Sequence, residues 1–113
     1  MSAITTHVLD LARGRPAAGL AVRLERQAGD GSWRLLGVGL TGEDGRIREW
    51  PGPPGPARGI HRLTFATGPY FEAGGTAAFY PEVSVVFDIA DAAEHHHVPL
   101  LLSPFGYSPY RGS

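Results

Sequence analysis

The most informative part of the sequence is the carboxyl-terminal stretch His95-His-His-Val-Pro-Leu-Leu-Leu-Ser-Pro-Phe-Gly-Tyr-Ser-Pro-Tyr-Arg-Gly-Ser113. It begins with an imidazole cluster, continues into an apolar run and ends with aromatic residues, an arginine and a serine. Alternate residues of an extended chain face opposite sides, so His97 leaves the apolar face that Val98, Leu100 and Leu102 share. This pattern predicts a strand that packs a core on one side and presents His97 to a surface or an interface on the other.

The rest of the chain is also typical of short strands separated by turns. Pro51–Arg58 is rich in proline and glycine and is predicted to be a loop, while Pro69–Gly75 has room for a short helix. Strands are predicted over Ile4–Leu9, Leu20–Gln27, Trp33–Thr41, Arg46–Trp50, Gly59–Thr67, Val83–Ile89, His95–Leu102 and Tyr107–Arg111. Short strands with a turn signal roughly every ten residues indicate an all-β antiparallel β-sandwich.

Composition narrows the class of protein. The 113 residues fit a single domain, 1–113, and 42% hydrophobic residues are enough for a packed core. A net charge of -1 gives no bulk attraction for phosphate, so no nucleic-acid partner is expected. Cysteine is absent, which excludes disulfides. No apolar run approaches the ~18 residues of a membrane span, and residues 1–7 lack the pattern of a secretory signal, so we expect a cytoplasmic protein without a membrane partner.

Histidines in the carboxyl-terminal cluster suggest one alternative, a metal site. His-x-His on a strand points two imidazoles the same way, so His95 and His97 have the spacing of metal ligands. No carboxylate is an obvious third ligand, and a solvated histidine cluster is the commoner reason for such a pattern. Taken singly, His7, Arg46 and Ser113 are ordinary surface residues as well.

Several segments carry more information together than they do singly. They are Ile4-Thr-Thr-His-Val-Leu-Asp10, Asp44-Gly-Arg46, His97-Val-Pro-Leu-Leu-Leu-Ser-Pro104 and the terminal Tyr110-Arg-Gly-Ser113. With them, the chain resembles the transthyretin-related 5-hydroxyisourate hydrolases along nearly its whole length. The terminal tetrapeptide is the most specific mark, because hormone-carrying transthyretins share the fold but have a different, longer tail. The chain departs from the family where it has His61, His96 and Phe105 in place of a frequent Tyr, and Pro109 in place of Thr.

The resemblance implies a transthyretin-like β-sandwich of two four-stranded antiparallel sheets with one short helix. It further implies a homotetramer, a dimer of dimers, in which the first, fourth, seventh and eighth strands form one sheet that lines a channel between dimers. His7, Arg46, His97 and Ser113 lie on or at the ends of those four strands. Four polar groups that are scattered along the sequence are therefore expected to meet on one face.

The activity implied by the resemblance is the opening of the 5-hydroxyisourate ring in urate degradation, giving 2-oxo-4-hydroxy-4-carboxy-5-ureidoimidazoline, without metal or cofactor. Either His7 or His97 would act as the base, and Arg46 would stabilise the oxyanion. Ser113 would position water or substrate through its hydroxyl or its terminal carboxylate. Tyr110, Arg111 and Gly112 would join Arg46 and Ser113 in binding the substrate. Two alternatives stay open: a transthyretin-like carrier that holds a small aromatic ligand without turnover, and a metal protein built on His95 and His97.

Overall fold

The computed structural model describes residues 3–51 and 57–113 of the chain. Its elements are β1 (Ile4–Asp10), β2 (Arg15–Pro16), β3 (Ala21–Gln27), β4 (Trp33–Leu40), β5 (Arg46–Ile47), β6 (Gly59–Phe65), α1 (Thr67–Ala73), β7 (Val83–Ile89), β8 (His96–Ser103) and β9 (Gly106–Pro109). Residues 52–56 of the predicted loop 51–58, and residues 1 and 2, lie outside the described residues. No helix in the described part has the length and apolar character needed to cross a membrane.

Two sheets make up the fold, as predicted. One has the order β2-β1-β8-β9 with β5 paired to β1, and the other has the order β4-β3-β6-β7. The first sheet contains the four segments that the resemblance grouped together, now β1, β5, β8 and β9, and gains the two-residue strand β2. The single short helix found in residues 3–51 and 57–113 is also as predicted, although it begins at Thr67 rather than Pro69.

One strand pair departs from the antiparallel expectation. β1 and β8 run parallel, from Ile4 opposite His96 to Asp10 opposite Leu102, whereas the other pairs among the described strands are antiparallel. A parallel pair needs a long crossover rather than a tight turn. Here most of the chain, including the whole second sheet, lies between β1 and β8 and supplies that crossover.

The core lies between the sheets and follows the alternation seen in the sequence. The first sheet contributes Val8 and Leu100 and the second contributes Leu24 and Phe65, each with 0% of its surface exposed. The remaining buried apolar residues are Ile4, Ala17, Leu20, Val22, Ile47, Trp50, Leu63, Phe71, Val83, Ile89, Val98 and Leu102. Because these strands bury one face, their opposite faces are free to carry polar groups, and on the first sheet that opposite face carries the candidate site.

A tight turn fixes where β5 meets β1. Gly45 has φ +77, and a Cβ at this position would collide with the carbonyl oxygen of Val8. The Gly45 carbonyl accepts a 2.8 Å hydrogen bond from the Val8 amide, which brings β5 against β1. The predicted strand to Trp50 stops at Ile47, because the chain then turns inward and the Trp50 indole donates to the Ile4 carbonyl at 2.9 Å.

Candidate active site

Strand register places the predicted catalytic side chains on the outer face of the first sheet. His7 on β1 lies opposite Arg46 on β5, and Thr5 on β1 lies opposite His97 on β8. The neighbour of Arg46 in β5, Ile47, is buried in the core, so Arg46 points away from the core. Three elements that are distant in the sequence thus converge on one surface.

A polar pocket of about 300 Å³ opens on this face. Its lining residues are Thr5, Thr6, Arg46, Arg48, His95, His97 and Ser113. The structure therefore brings together Arg46, His97 and Ser113 as the sequence predicts. His7 lies beside the pocket, opposite Arg46 on the neighbouring strand, and is not among the lining residues.

A threonine hydroxyl joins two histidines at the pocket. Thr5 Oγ1 lies 2.9 Å from His95 Nε2 and 2.8 Å from His97 Nδ1. Thr5 is only 4% exposed, so water has little access to this bridge. The sequence interpretation gave no role to Thr5 and only a metal alternative to His95. The strand alternation was the signal that could have found them, since it places Thr5 on the same face as His7 and His95 on the same face as His97.

Two arginines of the pocket differ in their surroundings. Arg48 Nη2 is paired with Asp44 Oδ2 at 2.7 Å. For the Arg46 side chain, the described residues offer no hydrogen-bond or ion-pair partner. A guanidinium presents several N–H donors in a fixed plane that suits paired oxygen acceptors, so Arg46 is the group with donors to spare for a bound molecule.

Burial and positive charge keep the two candidate bases neutral. The pKa of His97 is lowered from its ordinary value of 6.5, first by burial and then by the Arg46 charge, with His95 and His7 adding to the effect. The pKa of His7 is lowered in the same direction, again by burial first and Arg46 second. An imidazole with a lowered pKa is unprotonated at neutral pH and can accept a proton.

The tail reaches the pocket by packing against His97. Gly112 forms an isolated antiparallel bridge with His97, and its amide donates to the His97 carbonyl at 2.8 Å. A Cβ on Gly112 would lie 2.6 Å from His97 Cδ2 and 3.0 Å from Pro99 Cγ. Only a residue without a side chain fits between the tail and the imidazole ring, and this close fit places Ser113 at the pocket.

Tyr110 and Arg111 lie elsewhere. They line a second pocket of about 200 Å³ between the β7 and β9 edges, and His97 lines both pockets. Arg111 Nη2 is engaged by Glu94 Oε1 at 2.6 Å. Of the tail residues predicted to bind substrate, the structure brings Ser113 to the polar pocket and packs Gly112 on His97, but it places Tyr110 and Arg111 on the neighbouring pocket. The last strand, predicted over Tyr107–Arg111, is observed as β9 (Gly106–Pro109), so it begins one residue and ends two residues earlier than predicted.

The interpretation of the histidine cluster as solvated is wrong for His96, which is buried. It is 6% exposed and shares the core face of β8 with Val98. Its Nδ1 is buried and has no hydrogen-bond partner in the part of the chain that the structure describes. His95 and His97, on the other face, have ring centroids 6.3 Å apart. Within residues 3–51 and 57–113, no group of three or more His, Cys, Asp or Glu side chains could hold a metal ion, so the metal alternative has no ligand set there.

Comparison with known proteins places the chain in a family. The family model described as "HIUase/Transthyretin family" matches residues 4–112. The 5-hydroxyisourate hydrolase of Salmonella dublin is 48% identical over 97% of this chain and 80% of its own length. The 5-hydroxyisourate hydrolase of Mus musculus is 45% identical over 99% of this chain and 96% of its own length.

Solved structures of a transthyretin and of a 5-hydroxyisourate hydrolase share this fold. Sea bream transthyretin, solved in complex with thyroxine, superposes with a TM-score of 0.92 at 28% identity, covering 98% of this chain and 95% of its own. Klebsiella pneumoniae 5-hydroxyisourate hydrolase superposes with a TM-score of 0.84 at 34% identity, covering 97% and 98%. Backbone similarity alone does not separate the two activities, whereas sequence identity is higher to the hydrolases. The chain belongs to the HIUase/transthyretin family.

Proposed function

We propose that this chain is a 5-hydroxyisourate hydrolase that opens the ring of its substrate in urate degradation. Relatives carrying that name are 42% to 48% identical over nearly the whole chain. The observation that carries the proposal is the pocket in which Arg46, whose guanidinium has no side-chain partner among the described residues, meets a neutral His97 and Ser113. A carrier that only holds a ligand has no use for a proton acceptor beside a guanidinium.

Hydrolysis of a cyclic amide requires three catalytic functions. Water must lose a proton as it adds to the ring carbonyl, the developing oxyanion must be stabilised, and the departing nitrogen must gain a proton. His97 is the favoured base, because it lines the pocket and its lowered pKa leaves it unprotonated at neutral pH. The imidazolium formed in this way then returns the proton to the leaving nitrogen. His7, beside Arg46, is the second candidate for proton transfer or orientation.

Arg46 supplies the positive charge. Its guanidinium donates to the substrate oxygens and stabilises the oxyanion, which is typically worth ~2.7–4 kcal/mol for a single donor. Ser113 orients water or substrate, through its hydroxyl or an α-carboxylate. Gly112 holds the tail against His97. Tyr110 and Arg111 remain proposed substrate contacts only through the neighbouring pocket that they line. We propose no metal and no cofactor in these steps.

The proposed protein is a single domain over 1–113 that works as a cytoplasmic homotetramer, a dimer of dimers. The polar pocket is open on the face of a sheet, and binding sites usually enclose most of a small ligand. Two such faces packed about a two-fold axis would enclose the substrate. Sedimentation at micromolar concentration tests this, and a monomer would contradict it.

The activity is tested by making 5-hydroxyisourate in situ with urate oxidase and following its ultraviolet decay. The chain should accelerate the decay in proportion to its concentration. His7→Ala, Arg46→Ala and His97→Ala should each lower the rate strongly, up to the ~10²–10⁴-fold typical of a positioned base. His96→Ala should cost far less, and His95→Ala should be less damaging than His97→Ala. A chain that binds the substrate but leaves the spontaneous decay unchanged would be a carrier and would refute the proposal.

A further inference from the structure

We propose that Thr5 is a positioning residue that fixes the tautomer of His97 and couples the protonation of His97 to that of His95. This proposal rests on the hydrolase function proposed above for the same pocket. It starts from a geometric fact: a single hydroxyl, Thr5 Oγ1, lies 2.9 Å from His95 Nε2 and 2.8 Å from His97 Nδ1. At 4% exposure, Thr5 has little access to water as a substitute partner.

The Thr5 hydroxyl carries one proton, and these two imidazoles are its only partners among the described residues, so it donates to one of them and accepts from the other. When Thr5 donates to His95 Nε2, it accepts from His97 Nδ1–H, and His97 Nε2 is the bare nitrogen. When Thr5 donates to His97 Nδ1, it accepts from His95 Nε2–H, and His97 Nε2 carries a proton. The protonation states of the two histidines are therefore correlated through Thr5.

The first arrangement is the one that serves a base. Water in the pocket gives a proton to His97 Nε2, the His97 Nδ1 proton passes to the Thr5 oxygen, and the Thr5 hydroxyl proton passes to His95 Nε2. Only N–H and O–H bonds change, and one positive charge moves from His97 to His95. The reverse transfer returns a proton to His97 for the leaving nitrogen.

The charges around the pocket favour this transfer. Burial opposes a positive charge on His97, as do the charges of Arg46, His95 and His7. His95 is exposed, so water can solvate a positive charge on its side chain.

Thr5 takes a place that a carboxylate takes in many hydrolases. In a Ser-His-Asp triad, the aspartate holds the histidine in the correct tautomer and stabilises the imidazolium. No Asp or Glu is among the described residues that line the polar pocket. The Thr5 hydroxyl with His95 behind it supplies both the orientation and a second position for the charge.

The test compares Thr5→Val, which keeps the shape and removes the hydroxyl, with Thr5→Ser, which keeps the hydroxyl. Thr64→Val is the matched control, because it removes a buried threonine hydroxyl from the other sheet, where Thr64 Oγ1 lies 3.3 Å from Ser84 Oγ. For Thr5→Val we expect kcat to fall roughly 10-fold or more, with little change in KM. This loss is smaller than the ~10²–10⁴-fold that a positioned base contributes, because His97 itself remains. Thr5→Ser should restore most of kcat.

A second readout does not depend on substrate. In protein labelled with ¹⁵N-histidine, imidazole NMR spectra report the tautomer of each ring, assigned through the His95→Gln and His97→Gln variants. The wild-type chain should show His97 protonated at Nδ1 and His95 unprotonated at Nε2; Thr5→Val should change the His97 tautomer and Thr5→Ser should not. A wild-type His97 protonated at Nε2, or identical spectra and kcat in Thr5→Val, would overturn the proposal. If wild-type protein failed to hydrolyse 5-hydroxyisourate while it showed this pair of tautomers, the proposed function would fail and the role of Thr5 in setting the tautomer would stand.

Discussion

Replacing Gly112 by alanine should displace His97 by a known amount. The new Cβ would lie 2.6 Å from His97 Cδ2 and 3.0 Å from Pro99 Cγ. Carbon atoms in contact prefer about 3.5–4.0 Å, so ring and tail must separate by roughly 1 Å. A misplacement of this size at a reacting group can cost about 10²-fold in rate. We therefore expect kcat/KM for 5-hydroxyisourate to fall by roughly that factor in Gly112→Ala.

The control for this substitution lies in the same part of the chain. A Cβ on Gly106, at the start of β9, would meet Ser103 Oγ at 3.7 Å, an ordinary contact, so Gly106→Ala should keep its rate. The decay of freshly made 5-hydroxyisourate gives the rates, and thermal unfolding checks that both variants fold. Wild-type kcat/KM in a folded Gly112→Ala protein would refute the idea that the tail positions His97.

Four further outcomes follow from particular side chains. Arg46→Gln removes the charge that helps to lower the pKa of His97, so the acid limb of the pH–rate profile should move up toward 6.5, and an unmoved limb would contradict this. His96→Phe removes a buried nitrogen that has no hydrogen-bond partner in the described residues. The free energy of unfolding in denaturant titrations should rise by about 1–3 kcal/mol, and a fall would contradict this prediction. Burial lowers the pKa of His61 from its ordinary value of 6.5, so as the pH falls below 6.5 the unfolded chain binds a proton before the folded chain does. The melting temperature should therefore fall as the pH drops below 6.5. In His61→Phe the melting temperature should depend less on pH. Deleting Tyr110–Ser113 removes the tail from the pocket but leaves β9 paired with β8. Activity should therefore vanish while the oligomeric state seen in sedimentation stays unchanged, and an active truncated protein would contradict the role of the tail.

The period-two alternation of short strands predicted both sheets and the face on which each side chain lies. Val98, Leu100 and Leu102 are buried as expected, while His97 and Arg46 leave the core. Alternation fixes faces but not partners, because strand pairing depends on contacts between segments far apart in the sequence. The parallel pairing of β1 with β8 is therefore visible only in the structure.

The candidate site was predicted in part for the same reason. Residue spacing predicted that His97 points outward. It did not predict that the tail residues line two different pockets, because that division depends on a tertiary contact, the pairing of Gly112 with His97. Tyr110 precedes that contact and lines one pocket, and Ser113 follows it and lines the other. Strand alternation places Thr5 on the face of His7, but its hydrogen-bond distances to His95 and His97 are visible only in the structure.

If the polar face of β1, β5 and β8 hydrolyses 5-hydroxyisourate, as proposed, the activity should depend on His97. The most direct test follows the ultraviolet decay of 5-hydroxyisourate, generated by urate oxidase, with equal amounts of the wild-type, His97→Ala and Thr64→Val proteins. The decay should be rapid with the wild-type and Thr64→Val proteins and slower by ~10²–10⁴-fold with His97→Ala. Decay at the spontaneous rate with the wild-type protein, or equal rates with the wild-type and His97→Ala proteins, would contradict it.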